Sequence, residues 1–256
     1  MDDKSKNPLE MIKDPYAGDS FILPDTLCTD QRRSFFRRSK EILKFLTISD
    51  LALKECKNRY EQLLSQKNLQ QDTPLKFGFS DGRSTIMPVS SFLNGCNEGV
   101  ELLCRQVFIM IYGAWETYLF EILEQSFPKI GISENILEHS LKIMMKGNWD
   151  GKFCKMQNNL GIAYKSGDLV NHFNGFELSY GGTIFENPLL FLDELAKVRH
   201  RIIHASSMLD NGKSIFINAQ IFPAYLAFFT LLTEYVDKLF SEKFQYRQVK
   251  INPAET

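Results

Sequence analysis

Residues 107–123, VFIMIYGAWETYLFEIL, restrict the possible fold more than any other part of this chain. A helix drawn through them is apolar nearly all round, so it is expected to be the most buried helix of the domain. Its longest unbroken apolar run, 107–115, is far short of the roughly 20 residues that a membrane span needs. The expected surroundings are therefore other helices of the same protein. Glu116 lies in the middle of this segment, and a carboxylate on an otherwise apolar helix needs a partner. At 256 residues, 44% hydrophobic and 24% charged, the chain can bury such a helix in one large domain or in one domain with an appendage.

The rest of the sequence supplies the helices. Residues 1–28 contain Pro8, Pro15, Pro24 and Gly18 and are expected to form an irregular arm. From 29 to 70 apolar residues recur at helical spacing, which predicts one long helix or two with a break near 47–50. Short β-prone runs around Asp81-Gly82 predict a small hairpin in 75–87. Further helices are expected at 90–127 and from Ser133 to before Gly147. Residues 147–186, rich in Gly and Asn, are expected to hold two short helices as an insertion over one end of the bundle. Asn187 and Pro188 supply a cap and a first-turn proline for the next helix. A turn at 210–212, a short strand at 214–218 and a last helix at about 223–244 complete the chain. The expected fold class is mainly α. The expected parts are the arm (1–28), a helical extension with the hairpin (29–91) and a core (92–245).

Charge is balanced, with 30 Lys plus Arg against 31 Asp plus Glu, so any nucleic-acid contact must use a local patch. One candidate is Arg32, Arg33, Arg37, Arg38, Lys40, Lys44, Lys54, Lys57 and Arg59, either a phosphate-facing surface or a solvated helix face. Phe35-Phe36 between these arginines could contact bases, whereas the remaining aromatics are expected to be core. The five cysteines form no C-x-x-C pair, and Cys104 is expected to be a small core residue. The polar N-terminus has no signal-peptide pattern, so a cytoplasmic protein is expected.

Reactive groups are dense in one segment only, Lys197-Val198-Arg199-His200-Arg201-Ile202-Ile203-His204. With about 100° per residue, Phe191, Leu195, Val198 and Ile202 share the inward face of a helix. Asp193, Lys197, His200 and His204 share the opposite face. Leu192, Ala196, Arg199 and Ile203 form a third stripe suited to a partner subunit. A guanidinium is suited to a phosphate that gains charge, and an imidazole titrates near neutral pH and can move a proton. RNA carries its own nucleophile, the 2′-hydroxyl, so Arg plus His is a sufficient kit for cleaving it.

The sequence Arg199-His200-x-x-x-His204 closes a helix, follows a long apolar helix and precedes a turn and a last helix. This arrangement, from about 92 to 243, resembles the R-x4-6-H motif of the HEPN superfamily. The resemblance implies a helical bundle that dimerises about a two-fold axis and cuts RNA in a shared cleft without a metal, leaving a cyclic phosphate and a 5′-hydroxyl. Many such proteins act as toxins or in anti-phage defence, which makes an antitoxin or regulatory subunit a candidate partner here. Carried over, Arg199 would hold the scissile phosphate, His204 would be general base or acid, and His200 would orient the cleft or share the proton work. Glu116, Lys197 and Arg201 would support the site, with Glu116 anchoring Arg199. On an ideal helix Arg199 and His204 stand about 140° apart. They converge only if the helix loosens near Ile203, or in trans across a dimer.

Two other readings stay open. The same cleft could belong to a catalytically silent module that binds RNA or a partner protein. His200 and His204 also match an H-x3-H metal pair, with Asp193 as a candidate third ligand. His139 and His172 lie in unrelated segments and are expected at the surface or at caps. No Walker loop, G-x-S-x-G elbow or Rossmann glycine triplet is present. No metal or other cofactor is called for.

Overall fold

The computed structural model describes residues 12–13, 27–67, 70–78, 81–174, 179–180, 183–184, 187–204, 215 and 217–250. The protein is mainly α-helical with a small antiparallel hairpin, as expected. In chain order the elements are β1 (Ile12–Lys13), β2 (Leu27–Cys28), α1 (Asp30–Gln66), β3 (Pro74–Gly78), β4 (Ser84–Pro88) and α2 (Val89–Ser126). After a 3-10 turn, Phe127–Ile130, come α3 (Glu134–Met144), α4 (Trp149–Leu160), α5 (Ser166–Asn174), β5 (Ser179–Tyr180) and β6 (Thr183–Ile184). Then follow α6 (Pro188–Ile203), a second 3-10 turn (Ala219–Ile221), α7 (Phe222–Phe244) and β7 (Val249–Lys250). Helix α1 runs through 47–50 without a break.

Two compact units result, residues 42–107 and residues 1–41 with 108–256. The division falls inside α1 and α2, not at the linear boundaries near 28 and 91. A long helix can serve two cores, and nothing in its composition marks where one stops.

In the smaller unit β3 and β4 pair from Pro74↔Pro88 to Gly78↔Ser84. Gly82 takes φ 84 in the turn, where a Cβ would be strained, and the Asp81 carboxylate accepts the Arg83 N–H at 3.0 Å. Leu75, Phe77, Thr85 and Met87 alternate onto the less exposed face of the hairpin. Phe77 stacks on Phe92 with 4.5 Å between ring centres, and Tyr60 closes the cluster at 4.6 Å from Phe92.

In the larger unit α2 buries Phe108, Ile111, Trp115, Tyr118, Leu119, Ile122 and Leu123 fully. Met110, Thr117 and Phe120 are exposed, so the helix keeps one edge in water and is not surrounded as its apolar sequence led one to expect. Around the buried residues α7 contributes Tyr225, Phe228, Phe229, Leu232, Val236 and Phe240. Residues 147–186 are not a mere insertion. Trp149, Phe153, Met156, Leu160, Leu169 and Phe173 are buried, so α4 and α5 are walls of the core. Their polar, Gly- and Asn-rich intervals hide an apolar stripe on each short helix.

The start of α1 is fastened by a polar network. The Thr29 N–H donates to Asp237 at 3.0 Å, and the Thr29 hydroxyl donates to the same carboxylate. Tyr118 donates to the Thr233 carbonyl at 3.1 Å and reaches Asp237 at 3.4 Å. Arg32, itself buried, pairs with Glu234 at 3.1 Å. This changes the reading of the basic patch. Arg32, Arg33, Arg38, Lys54 and Lys57 are each paired with a carboxylate, which leaves Arg37, Lys40, Lys44 and Arg59 without an ion pair among the described residues. Phe35 and Phe36 are buried and cannot stack on bases.

The arm is tied at two points, where β1 pairs β5 and β2 pairs β7. The expected turn at 210–212 lies outside the described residues. Ile215 and Ile217 are buried but belong to no strand.

Candidate active site

The helix that carries the motif begins where the sequence says it should. Asn187 accepts the N–H groups of Leu189 and Leu190 at 2.9 and 3.3 Å, and Pro188 fills the first turn. It ends at Ile203. His204 is the C-terminal cap, and its N–H still bonds the His200 carbonyl at 3.1 Å. Phe191, Leu195 and Val198 are buried, with Ile202 at the edge, as expected for the inward face. The third stripe is not uniform: Leu192 is fully buried, Ala196 and Arg199 are half-buried, and Ile203 is exposed. The stripe thus emerges from the core toward the C-terminal end of α6, which packs against α4.

Arg199 faces α2. Its two terminal nitrogens meet the two oxygens of Glu116 at 3.0 and 3.4 Å, and its guanidinium lies 5.2 Å from the centre of the Tyr112 ring. The expected partner of Glu116 is therefore present. Nε of Arg199 is buried and has no acceptor among the described residues. Burial pushes the Glu116 carboxyl above its ordinary range, opposed by Arg199 and then Lys152.

The pair rests on an aromatic scaffold. The Tyr112 hydroxyl accepts the Trp149 indole N–H at 3.0 Å, and the indole packs on Trp115 with 5.6 Å between centres. The backbone N–H of Trp149 donates to Asp193 at 3.0 Å, so Asp193 caps α4 from across the site. Lys152 lies over the same indole, its ammonium 3.7 Å from the ring centre. Burial lowers the Lys152 ammonium below the usual lysine range against the opposing pull of Glu116 and Asp193. The same burial raises the Asp193 carboxyl, held back by the Trp149 N–H and by Lys152.

His200 and His204 are exposed, and their rings lie 4.3 Å apart. Lys197 beside them pairs with Glu194 at 2.6 Å, and Arg201 is half-buried. Among the described residues no hydrogen bond, ion pair or ring contact joins Arg199 to His204, in keeping with their angular separation on the helix. No set of three His, Cys, Asp or Glu side chains able to hold a metal ion occurs among the described residues, and Asp193 is engaged by the Trp149 N–H. His139 is exposed as expected, whereas His172 is half-buried and bonds the Leu231 carbonyl at 3.1 Å. Burial lowers the His172 imidazole below its ordinary range.

Sequence reasoning missed Tyr112, Trp149 and Lys152. Trp149 could have been flagged by Asn148, which caps α4 by accepting the Gly151 N–H at 2.9 Å. Nothing local links Lys152 to Arg199. No protein-family model, curated protein or solved structure matches the chain. Among the described residues no helix is long and apolar enough to cross a membrane.

Proposed function

We propose that the protein is a metal-independent endoribonuclease of HEPN type, a cytoplasmic toxin or anti-phage effector that works as a homodimer. One observation carries the reading: a half-buried Arg199, clamped by Glu116 over Tyr112, lies on the same final turns of α6 as the exposed pair His200 and His204. In this reading the 2′-oxygen of the RNA attacks phosphorus and gives its proton to one imidazole. The bond from phosphorus to the 5′-oxygen breaks, and that oxygen takes a proton from the other imidazole. The products are a 2′,3′-cyclic phosphate and a 5′-hydroxyl. Arg199 holds the phosphate oxygens that gain charge. Two histidines one turn apart supply base and acid without a third element. Arg199 reaches the same phosphate by leaving Glu116, or serves the histidines of a second copy.

The test is incubation of wild type, Arg199→Lys, His200→Ala and His204→Ala with mixed tRNA and a structured single-stranded RNA in EDTA. Cleavage by wild type that ends in cyclic phosphate and fails in His204→Ala is the expected result. Equal cleavage by every variant overturns the assignment. No cleavage by a folded wild type favours the silent module, a reading that the locked Arg199–Glu116 pair supports.

A further inference from the structure

Lys152 has no place in the motif, yet it is the most unusual cation near it. Its ammonium is half-buried on the Trp149 indole, and among the described residues it has no ion pair or hydrogen bond. Both nearby carboxylates are occupied, Glu116 by Arg199 and Asp193 by the backbone N–H of Trp149. Lys155, the next cation on α4, is turned away to the carbonyl of Ile143 at 3.2 Å. Lys152 and Arg199 are thus built alike. Each cation lies over one ring of a Tyr112–Trp149 pair joined by a 3.0 Å hydrogen bond, and among the described residues only Arg199 has a counter-ion in contact. A half-buried ammonium on an aromatic face without a paired anion is a ready receptor for one.

Position adds the second argument. Lys152 lies over the Trp149 indole, whose N–H bonds the Tyr112 hydroxyl next to Arg199 and whose backbone N–H bonds Asp193 on α6. It therefore borders both the stripe that carries Arg199 and the face that carries the histidines. From Asp193 to His200 the axis of α6 advances about 10 Å. A strand that covers this distance brings more than one phosphate, and Arg199 and the histidines can serve only the scissile one.

We propose that Lys152 is a second phosphate-binding cation of this site, holding a phosphodiester that neighbours the one cleaved at Arg199 and His204. The inference rests on the ribonuclease reading for the identity of the anion. Glu116 and Asp193 prevent the ammonium from becoming a general anion sink, because a ligand must match Lys152 and Arg199 together.

The experiment measures binding of a short single-stranded RNA across a range of salt, in a His204→Ala background so that nothing is cut. Lys152→Met is expected to weaken binding several-fold and to flatten the slope of log affinity against log salt by about 0.7, the release of one phosphate contact. Lys152→Arg is expected to restore both. A slope and affinity unchanged in Lys152→Met, with only thermal stability altered, overturns the proposal and leaves Lys152 as a shield between two carboxylates. No RNA binding by His204→Ala itself, alongside EDTA-resistant cleavage by wild type, also overturns it. No cleavage by wild type removes the ribonuclease reading instead. Binding that still weakens and flattens in Lys152→Met then keeps the cation site as a feature of an RNA-binding module.

Discussion

The Arg199–Glu116 pair lends itself to a double-substitution cycle, because its exposure puts it between two well-separated energetic regimes. Its side chains are 32% and 24% exposed, and both guanidinium nitrogens engage the carboxylate. Exposed ion pairs contribute about 0–1 kcal/mol, whereas breaking a fully buried pair costs about 3–5 kcal/mol. For Arg199→Met, which strands a half-buried carboxylate, an intermediate cost of about 2 kcal/mol follows. In a chain of this size that lowers the melting temperature by about 4–8 °C. Glu116→Gln is milder, about 1 kcal/mol, because Arg199 keeps the Tyr112 ring and more access to water. The double variant should lose less than the sum, with a coupling of about 1 kcal/mol. The deficit of Arg199→Met should also depend on pH. A buried carboxyl that binds its proton more tightly when folded favours the folded state at low pH, and that advantage is lost as pH rises through its raised folded value. The deficit therefore shrinks toward the free glutamate range, about pH 4.3. Urea denaturation followed by circular dichroism measures all four corners of the cycle. Additivity within about 0.3 kcal/mol would refute the claim that the pair holds Arg199 in place.

Other expectations concern the frame of the site. Tyr112→Phe strands the Trp149 indole N–H in the core and should cost about 1–3 kcal/mol by urea denaturation, while leaving helix content unchanged. Asn187→Ala removes the cap of α6 and should cost about 1 kcal/mol, with hydrogen exchange rising first in the opening turn of that helix. Burial raises the Asp237 carboxyl above its ordinary range, against the hydrogen bonds from Thr29. Its contribution is thus fully present below about pH 3.9, the unfolded value, and is lost as pH rises through the folded one. Asp237→Asn should remove that part of the fall in stability with rising pH, and an unchanged pH profile of the melting temperature would contradict it.

The sequence by itself determined the helical class, and the reason lies in particular residues. Residues 107–123 are too apolar for anything but a helix packed into a core, although the fold leaves Met110, Thr117 and Phe120 exposed; Asn187 and Pro188 fix where α6 starts, and Asp81-Gly82 fixes the hairpin turn. The inward face of α6 and a partner for Glu116 followed from helical period and from the cost of a buried carboxylate. Period and capping are local, so a single chain segment reveals them. What tertiary structure alone decided depends on contacts distant in sequence. The arginines of α1 read equally as a phosphate surface or a solvated helix face until Glu234 and Glu121 took up two of them. Phe35 and Phe36 looked available until the fold buried them. Residues 147–186 looked like decoration until Trp149 proved to bond Tyr112 and to carry Lys152 on its ring. Lys152 over Trp149 and Arg199 over the Tyr112 bonded to that indole are the clearest case. They are brought together by α4 packing on α6, and no spacing in the sequence encodes a distance between two helices.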